Sequence, residues 1–471
     1  MSTTSPSNSR DLLKAVPTQS TPSRAPVIPR PPASLSEQRT CLIGSTPGAD
    51  AIQDRPDAER VPTRTGQRVA LVSFLFNWPS TGGGIIHTVE LGQFLARAGY
   101  QVQHLYPVYE PWDIGRVNQT LPTPNRAIQF DPASWTLPSI MERFRRAVDD
   151  FAPDWVIVTD SWNTKPILAE AVQRYPYILR FQAEECLCPL NNVRLLINQD
   201  GSPRQCPNHQ LADPEQCRRC VHVRSACSGP LHRVERDLCQ VGHPSYQRRL
   251  ERSLREAKAV LVLNPLLEAM VAPYAPAVQV VPWGMDPERF PWPVPPRPDD
   301  PDRPVVIFQA GAIGEYMKGY HVLQAACERL REHRQDFRLV ATGHPAGSVN
   351  EWTSWTGWTS QDALPALYHD ADIVVVPTVA QEGLSRTSVE AMAAGKPVVA
   401  SRIGGLPMTV QHEVTGLLAA PGDPDDLARQ LGRLLDDAAW RHQLGRTGRS
   451  QFESEWTWEK VIERYYRPLL T

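Results

Sequence analysis

Two series of alternating strand and helix patterns constrain the fold of this chain most strongly. In the first, an apolar, β-branched run at 68–75 leads through a Pro- and Gly-rich turn into a helical pattern at 85–98, and 101–106 resumes as a strand. Strand–helix–strand units of this kind build parallel sheets. The same rhythm predicts further strands at 155–159, 177–181, 259–263 and 279–281.

A second series follows a Pro- and Asp-rich stretch, which is typical of a linker. Its strand runs lie at 305–310, 338–341, 373–376 and 397–400. We therefore predict an α/β fold with two Rossmann-like domains facing a cleft. The predicted boundaries are an N-terminal domain at 67–290, a linker at 291–304, a C-terminal domain at 305–452 and a C-terminal helix at 453–471. Ligands of such sheets bind at the carboxyl ends of the strands.

Residues 1–66 differ in composition from the rest of the chain. They carry ten prolines, many Ser and Thr residues and no aromatic residue. Such a segment buries too little apolar surface to offset the entropy cost of ordering, so we predict a disordered tail. A docking arm for a partner is the alternative.

Charge and hydropathy narrow the partners and the location. The formal net charge of the 471 residues is -2, which gives no electrostatic reason to expect nucleic acid. No run approaches the roughly 18 apolar residues of a membrane-spanning helix, and no secretory signal is recognisable. We expect a cytoplasmic protein whose contact with the inner face of the membrane is at most peripheral.

A glycine-rich loop, Thr81 to Gly84, lies between the first predicted strand and the first helix. Glycines let a ligand approach the backbone, and the free amides of a helix start favour phosphate. The loop lacks the GxGxxG spacing of dinucleotide-binding proteins, so an NAD site is not expected. A tight turn without a ligand is the alternative.

A stronger motif is EGLSRTSVEAMAAGKPVVA, which begins at Glu382 and places Glu390 eight residues later. Glu382 is predicted in the loop after an apolar strand, and Glu390 in the following helix. Carboxylates at these places can accept hydrogen bonds from sugar hydroxyls, while the helix start faces phosphate. Two glutamates on a solvated helix face are the alternative for the bare pair.

This segment resembles the signature of family 4 glycosyltransferases, E-G-(x)6-E-A-M-A-x-G-x-P-V-(V/I). Further stretches follow the family's order, including Gly82 to Gly84, the WGMD run at 283–286 where the family has NGVD, and Gly311 with Lys318 and Gly319. The resemblance implies a GT-B fold. It also implies transfer of a sugar from a nucleoside diphosphate sugar to an acceptor hydroxyl with retention of anomeric configuration.

The resemblance assigns roles to individual residues. Glu390 would bind the donor ribose, Glu382 would orient the donor sugar, and Lys318 would bind the diphosphate, with no metal or other cofactor required for catalysis. Gln182 joins Glu382 and Lys318 as the third expected catalytic residue. The other expected donor-binding residues are Gly83, Gly84, Gly311, Gly383, Leu384, Ser385, Arg386 and Thr387. The acceptor would be a saccharide, a lipid-linked molecule or a small molecule, in polysaccharide, glycolipid or natural-product biosynthesis.

Two positions depart from the family's pattern. Ala312 stands where the family has an arginine, so one diphosphate contact is missing unless Arg386 or another cation supplies it. Gln182 stands where the family has a histidine, and an amide cannot shuttle a proton near neutral pH. A weakly catalytic homologue that acts as a binding or partner subunit is therefore an alternative, and another GT-B enzyme, such as a phosphorylase or epimerase, is a third.

Seven of the nine cysteines lie between 186 and 239, within a predicted insertion at about 186–243. The Cys217-x2-Cys220 spacing lets two thiolates reach one tetrahedral metal ion, and Cys206 and His209 are the expected further ligands of a structural zinc. Free or redox-active cysteines and an iron–sulfur cluster are alternatives. The insertion is expected to shape the acceptor side of the cleft.

Overall fold

The computed structural model describes residues 66–80, 82–198, 203–224, 228–293, 303–311, 314–344 and 350–471. All of them lie within one compact unit. Residues 1–65 of the predicted N-terminal tail, Thr81, Cys227, most of the predicted linker, Ala312 and Ile313 lie outside the described residues.

The strands are short and rich in Val, Ile and Leu. In chain order they are β1 (Arg68–Val72), β2 (Gln101–Val108), β3 (Asn125–Gln129), β4 (Trp155–Val158), β5 (Tyr177–Arg180), β6 (Leu195–Ile197), β7 (Pro203–Gln205), β8 (Ala259–Val262), β9 (Val278–Val280), β10 (Val305–Gln309), β11 (Phe337–Ala341), β12 (Thr353–Trp355), β13 (Ile373–Val376), β14 (Val398–Ser401) and β15 (Gly416–Ala419).

The strands form two parallel sheets and one small hairpin. The N-terminal sheet has the order β3-β2-β1-β4-β5-β8-β9, and the C-terminal sheet has the order β12-β11-β10-β13-β14-β15. The hairpin pairs β6 with β7 in antiparallel fashion. The central strands β13 and β14 are buried on both faces, which explains their continuous apolar sequences.

Helices cover both sheets. In chain order they are α1 (Gly83–Arg97), α2 (Leu137–Phe151), α3 (Lys165–Val172), α4 (Pro214–Val223), α5 (Pro230–Cys239), α6 (Pro244–Glu256), α7 (Pro265–Val271), α8 (Tyr320–Arg331), α9 (Leu364–Asp370), α10 (Arg386–Ala393), α11 (Leu406–Thr409), α12 (Pro424–Asp436), α13 (Ala438–Gln451), α14 (Trp458–Val461) and α15 (Arg467–Leu469). The predicted fold class, α/β with two Rossmann-like domains facing a cleft (GT-B), is confirmed.

The C-terminal segment packs back onto the N-terminal sheet. Two π-helical turns, Phe452–Trp456 and Ile462–Tyr466, join α13, α14 and α15. Trp458 is fully buried in the same apolar cluster as Val69 and Leu71 of β1. The last residues of the chain therefore complete the core of the first sheet, although they follow the second sheet in sequence.

Five strands were not predicted from the sequence, namely the hairpin strands β6 and β7 and the edge strands β3, β12 and β15. The edge strand β3 is mostly exposed and reads NRAIQ, so it has no apolar run. Two further edge strands, β12 and β15, have three and four residues and contain Trp355 and Gly416 rather than a β-branched run. Edge strands need less apolar surface than central ones, and periodicity alone gives them a weak signal.

Gly284 allows Trp458 to pack against the chain after β9. A Cβ atom on Gly284 would lie 2.6 Å from Cε3 of the Trp458 ring, which is too close for a real contact. The ring is fully buried and has no free space to move into. We expect Gly284→Ala to lower the free energy of unfolding by about 1–3 kcal/mol, measured by urea denaturation.

Gly432→Ala is the matched control, because Gly432 lies inside α12 and its Cβ would meet Leu330 at an ordinary 3.8 Å. Alanine in a helix interior should leave stability unchanged or raise it by up to about 1 kcal/mol. Equal unfolding free energies for the Gly284→Ala variant and the wild type would contradict the packing described here.

Candidate active site

A cavity of about 330 Å³ lies between the carboxyl-end loops of the two sheets. The N-terminal half contributes the glycine-rich loop at Gly82 and Gly83, together with Trp283. The C-terminal half contributes most of the predicted donor-binding residues, namely Gly311, Lys318, Glu382, Leu384, Ser385, Arg386, Thr387 and Glu390. The structure therefore brings together residues that lie up to about 300 positions apart in sequence.

Lys318 and Glu382 form an ion pair at this cavity, with 2.8 Å between Nζ and Oε1. The charge of Glu382 raises the pKa of Lys318. Lys318 ends a short 3-10 turn, and the following Gly319 has a φ of +70°. A Cβ atom on Gly319 would overlap the carbonyl oxygen of Pro377, so only glycine lets this turn lie against the end of β13.

Glu390 is buried in the first turns of α10 and has partners on both oxygens. Its Oε1 accepts a hydrogen bond from Arg386 Nε at 3.0 Å, and its Oε2 accepts one from the Tyr368 hydroxyl at 2.8 Å. The Ser385 hydroxyl caps the helix by accepting from the backbone N–H of Ser388. The start of α10 thus lines the same cavity as Lys318.

Arg386 joins the two halves of the molecule. Its two terminal nitrogens donate to Glu90 of α1 at 3.0 and 2.7 Å, while its Nε bonds to Glu390. The Trp458 indole N–H also donates to Glu90, at 3.0 Å. In this arrangement Arg386 is held by two carboxylates, and it also lines the cavity.

Gln182 is fixed behind the glycine-rich loop and does not line the cavity. Its amide nitrogen donates to the Thr159 hydroxyl at 3.1 Å, and its amide oxygen accepts from the Trp283 indole at 3.0 Å. Gly84 and Gly383 lie against Gln182 and are likewise set back from the cavity. Close contacts explain both glycines. A Cβ on Gly84 would lie 2.5 Å from Asp160 Oδ1, and a Cβ on Gly383 would lie 2.9 Å from Leu263 Cδ1.

Gly311 lies at the cavity rim with a φ of +113°. Its backbone N–H donates to the Thr342 hydroxyl at 2.9 Å, and that hydroxyl is also 2.9 Å from the Gly311 carbonyl oxygen. These two contacts hold the loop after β10 against the end of β11. Both lie at the carboxyl ends of the strands, where such sheets bind ligands.

Asp160 is a polar residue at this end of the sheet that sequence reasoning missed. It lies two residues after the end of β4. Its Oδ2 accepts a hydrogen bond from the Thr88 hydroxyl at 2.8 Å, and its Oδ1 would lie 2.5 Å from a Cβ on Gly84. Burial raises the pKa of Asp160 to about 6, against the opposing effects of Thr88 and Lys165. Because ligands bind at the carboxyl ends of such strands, its position after the strand predicted at 155–159 could have marked it as a candidate site residue.

A buried ion pair lies next to Asp160. Lys165 and Glu185 are 3.0 Å apart and almost fully buried, and Lys165 also donates to the carbonyl oxygens of Thr159 and Arg180. Burial raises the pKa of Glu185 to about 8, although Lys165 opposes the shift. This pair anchors the turn that carries Gln182, whose backbone N–H donates to Glu185 at 3.2 Å.

Three of the four expected zinc ligands share a second cavity. Cys206, Cys217 and Cys220 line it, and His209 does not. As the side chains stand, the described residues hold no group of three His, Cys, Asp or Glu placed to bind a metal ion. The helices of the described ranges also include none that is long and apolar enough to cross a membrane.

The chain is similar in sequence and in fold to known proteins. Residues 303–437 match the family model described as Glycosyl transferases group 1. The match covers less than a third of the 471 residues. Over 187 residues the chain is 34% identical to a D-inositol 3-phosphate glycosyltransferase from Salinispora tropica, covering 36% of this chain and 38% of that protein. It is 32% identical over 179 residues to a lipopolysaccharide 1,2-N-acetylglucosaminetransferase from Salmonella typhimurium, covering 34% of this chain and 46% of that protein.

The chain thus matches less than half the length of these two transferases. Similarity of fold extends further. The structure superimposes on a sucrose-phosphate synthase from Thermosynechococcus elongatus with a TM-score of 0.62 and 21% identity, covering 86% of this chain and 99% of that chain. The Anabaena protein HepE, solved in complex with UDP and glucose, gives a TM-score of 0.58 with 14% identity and the same coverage.

The raised pKa of Asp160 has a consequence for stability. The folded state keeps the proton that an unfolded aspartate releases near pH 4, so this carboxyl makes the free energy of unfolding fall between about pH 4 and 6. Asp160→Asn should remove that contribution. We expect the variant to gain stability relative to the wild type as the pH rises from about 4 to 7, measured by urea denaturation.

The exposed aspartate Asp362 provides the control, and Asp362→Asn should follow the wild-type pH profile. Parallel profiles for the wild type and the Asp160→Asn variant over this pH range would show that the folded state does not hold this proton.

Proposed function

We propose that this chain transfers a sugar from a nucleoside diphosphate sugar to an acceptor hydroxyl, with retention of anomeric configuration and without a catalytic metal ion. The observation that carries the proposal is the Lys318–Glu382 pair beside the start of α10 and the buried Glu390. A cation, a helix start and two carboxylates around one cavity match the charges of a diphosphate and the hydroxyls of two sugars.

In this proposal the donor lies along the C-terminal half of the cavity. Glu390 accepts hydrogen bonds from the ribose hydroxyls, and the first amides of α10 face the diphosphate. Lys318 lies on the same side and supplies a point charge for the phosphate oxygens. Glu382 holds Lys318 and meets the donor sugar with its other oxygen.

Departure of the diphosphate is the step that needs most electrostatic help. Negative charge develops on the leaving oxygen, and fixed donors already in place stabilise it without reorganisation. The pKa of Lys318 is raised by Glu382, so the ammonium stays charged throughout the physiological range. One cation and a helix start can therefore act where other transferases use a divalent metal ion.

The acceptor approaches from the N-terminal half. Gly83 has no side chain, so the glycine-rich loop can pack directly against the Trp283 ring, and no side chain of Gly83 covers the start of α1. Asp160 lies beneath this loop, against Gly84, and offers a carboxyl group for orienting an acceptor hydroxyl, while Gln182 holds Thr159 and Trp283 in place. A saccharide, lipid-linked or small-molecule acceptor fits this description, in polysaccharide, glycolipid or natural-product biosynthesis.

Two substitutions test the donor site. Glu390→Ala removes the proposed ribose acceptor, and Lys318→Ala removes the proposed diphosphate cation. Each should lower turnover by roughly tens to thousands of fold and weaken binding of the matching nucleoside diphosphate. Binding is measured by calorimetry with UDP, GDP, ADP and TDP in turn, so the wild type also identifies the base.

Lys258→Ala and Glu332→Ala are the matched controls, because both side chains are exposed and lie outside the cavity. They should bind nucleotide as the wild type does. Folded variants of Lys318 and Glu390 with undiminished binding and turnover would refute the assignment. A wild-type protein that binds nucleotide but never turns over would favour a partner subunit.

The stereochemistry can be tested without knowing the acceptor. Many transferases slowly hydrolyse their donor, and water then serves as the acceptor. With the nucleotide sugar that binds most tightly, we expect the released sugar to appear first as the anomer present in the donor, followed by NMR before mutarotation. Added Mg²⁺ or Mn²⁺ should leave the rate unchanged. First release of the opposite anomer would contradict retention.

A further inference from the structure

Four cysteine side chains line one cavity of about 340 Å³ in the segment between β5 and β8. Cys188 follows the 3-10 turn Glu185–Leu187, and Cys206 directly follows β7 of the hairpin. Cys217 and Cys220 lie three residues apart on α4, so both project from the same face of that helix. Three separate elements thus bring thiols to one place, and none of the four is in a disulfide.

Four thiols around one cavity can serve as a ligand set, because a coordinating thiol is deprotonated by the metal that it binds.

Positive side chains surround the same cavity. Arg204, Arg219 and Arg224 are among its lining residues. Four thiolates around a divalent cation carry a net charge of about -2, because each thiol loses its proton when its sulfur binds the metal. Guanidinium groups at the cavity would offset part of such a charge.

The local core is small for a folded segment. The hairpin strands have three residues each, and among the described residues the apolar cluster around them has Cys188, Leu190 and Leu196 as its buried members. Hairpins of this size are marginal in water, and small folded units commonly need a metal ion or disulfides. Disulfides are absent among the cysteines that the structure describes.

We propose that Cys188, Cys206, Cys217 and Cys220 together bind one zinc-type divalent cation as four thiolates. Cys188 replaces His209 in the ligand set expected from the sequence, because His209 lies outside the cavity that the four cysteines share. Since the side chains as they stand do not form a metal-binding group, binding requires the thiols to turn toward a common centre.

The site would support the donor cavity. Gln205, beside Cys206, accepts a hydrogen bond from the backbone N–H of Gln381 at 3.4 Å, and Gln381 precedes Glu382. The buried Arg194–Glu184 pair, at 2.7 Å, ties the start of β6 to the turn that carries Gln182. A metal-held hairpin would therefore steady both sides of the cleft while taking no part in the chemistry.

The proposal is tested on the purified full-length protein, with metal analysis and thiol alkylation as readouts that need no activity. We expect about one zinc per chain. Alkylation followed by peptide mass spectrometry should show Cys188, Cys206, Cys217 and Cys220 protected together, and a strong chelator under reducing conditions should expose all four. The buried Cys327 belongs to the C-terminal core and should not change with the chelator.

Variants decide the ligand set. Cys188→Ser should lose most of the metal or bind added Co²⁺ with an altered thiolate-to-cobalt absorption, whereas His209→Ala should keep a wild-type metal content and spectrum. Cys239→Ala is the control for a buried cysteine of the same segment that lies outside the cavity, and it should also keep the metal.

Several results would overturn the proposal. They are a protein that binds neither zinc nor added Co²⁺, iron with inorganic sulfide in place of zinc, protection of Cys227 instead of one of the four cysteines, and metal loss in the His209→Ala variant but not in the Cys188→Ser variant. Because the alkylation pattern is read on the wild type, the test stands even where a variant does not fold.

Discussion

The guanidinium group of Arg386 lies between two carboxylates, Glu90 of the N-terminal half and Glu390 of the C-terminal half, and the arrangement of the cleft depends on it. All three side chains are largely buried, so their mutual attraction is weakly screened. Removal of one partner would leave an uncompensated charge, which typically costs about 3–5 kcal/mol. The network also includes Trp458, so the returning C-terminal segment contacts the same point as α1 and α10.

This network gives a physical reason for coupling between donor binding and the relation of the two halves. Glu390 serves both Arg386 and Tyr368 in the structure, and a ribose would compete for the same oxygens. A donor phosphate beside the start of α10 would offer Arg386 a new anionic partner in place of Glu90. Exchange of partners around one guanidinium changes how strongly α1 is attached, with no change in either sheet.

The central strands of both sheets and three charged residues of the cavity could be predicted from the sequence. Central parallel strands need continuous apolar runs, so the central strands of both sheets could be predicted. Lys318, Glu382 and Glu390 line one cavity because they follow the neighbouring strands β10 and β13 at their carboxyl ends. Sequence gave no sign of Glu90, since nothing marks one glutamate inside an amphipathic helix as a partner for a residue 296 positions away. The choice of Cys188 over His209 also required the three-dimensional arrangement, because spacing alone does not exclude either.

The glutamine that stands in place of the family's histidine is understandable from its surroundings. Both ends of the Gln182 amide are already engaged, with Thr159 and with Trp283, so this side chain holds two elements together and has no proton to exchange. Asp160 flanks the same glycine, Gly84, and its pKa of about 6 makes it able to change protonation state near neutral pH. Proton exchange at the acceptor side, if the reaction needs it, would then belong to the carboxylate after β4, with Gln182 as a positioning residue.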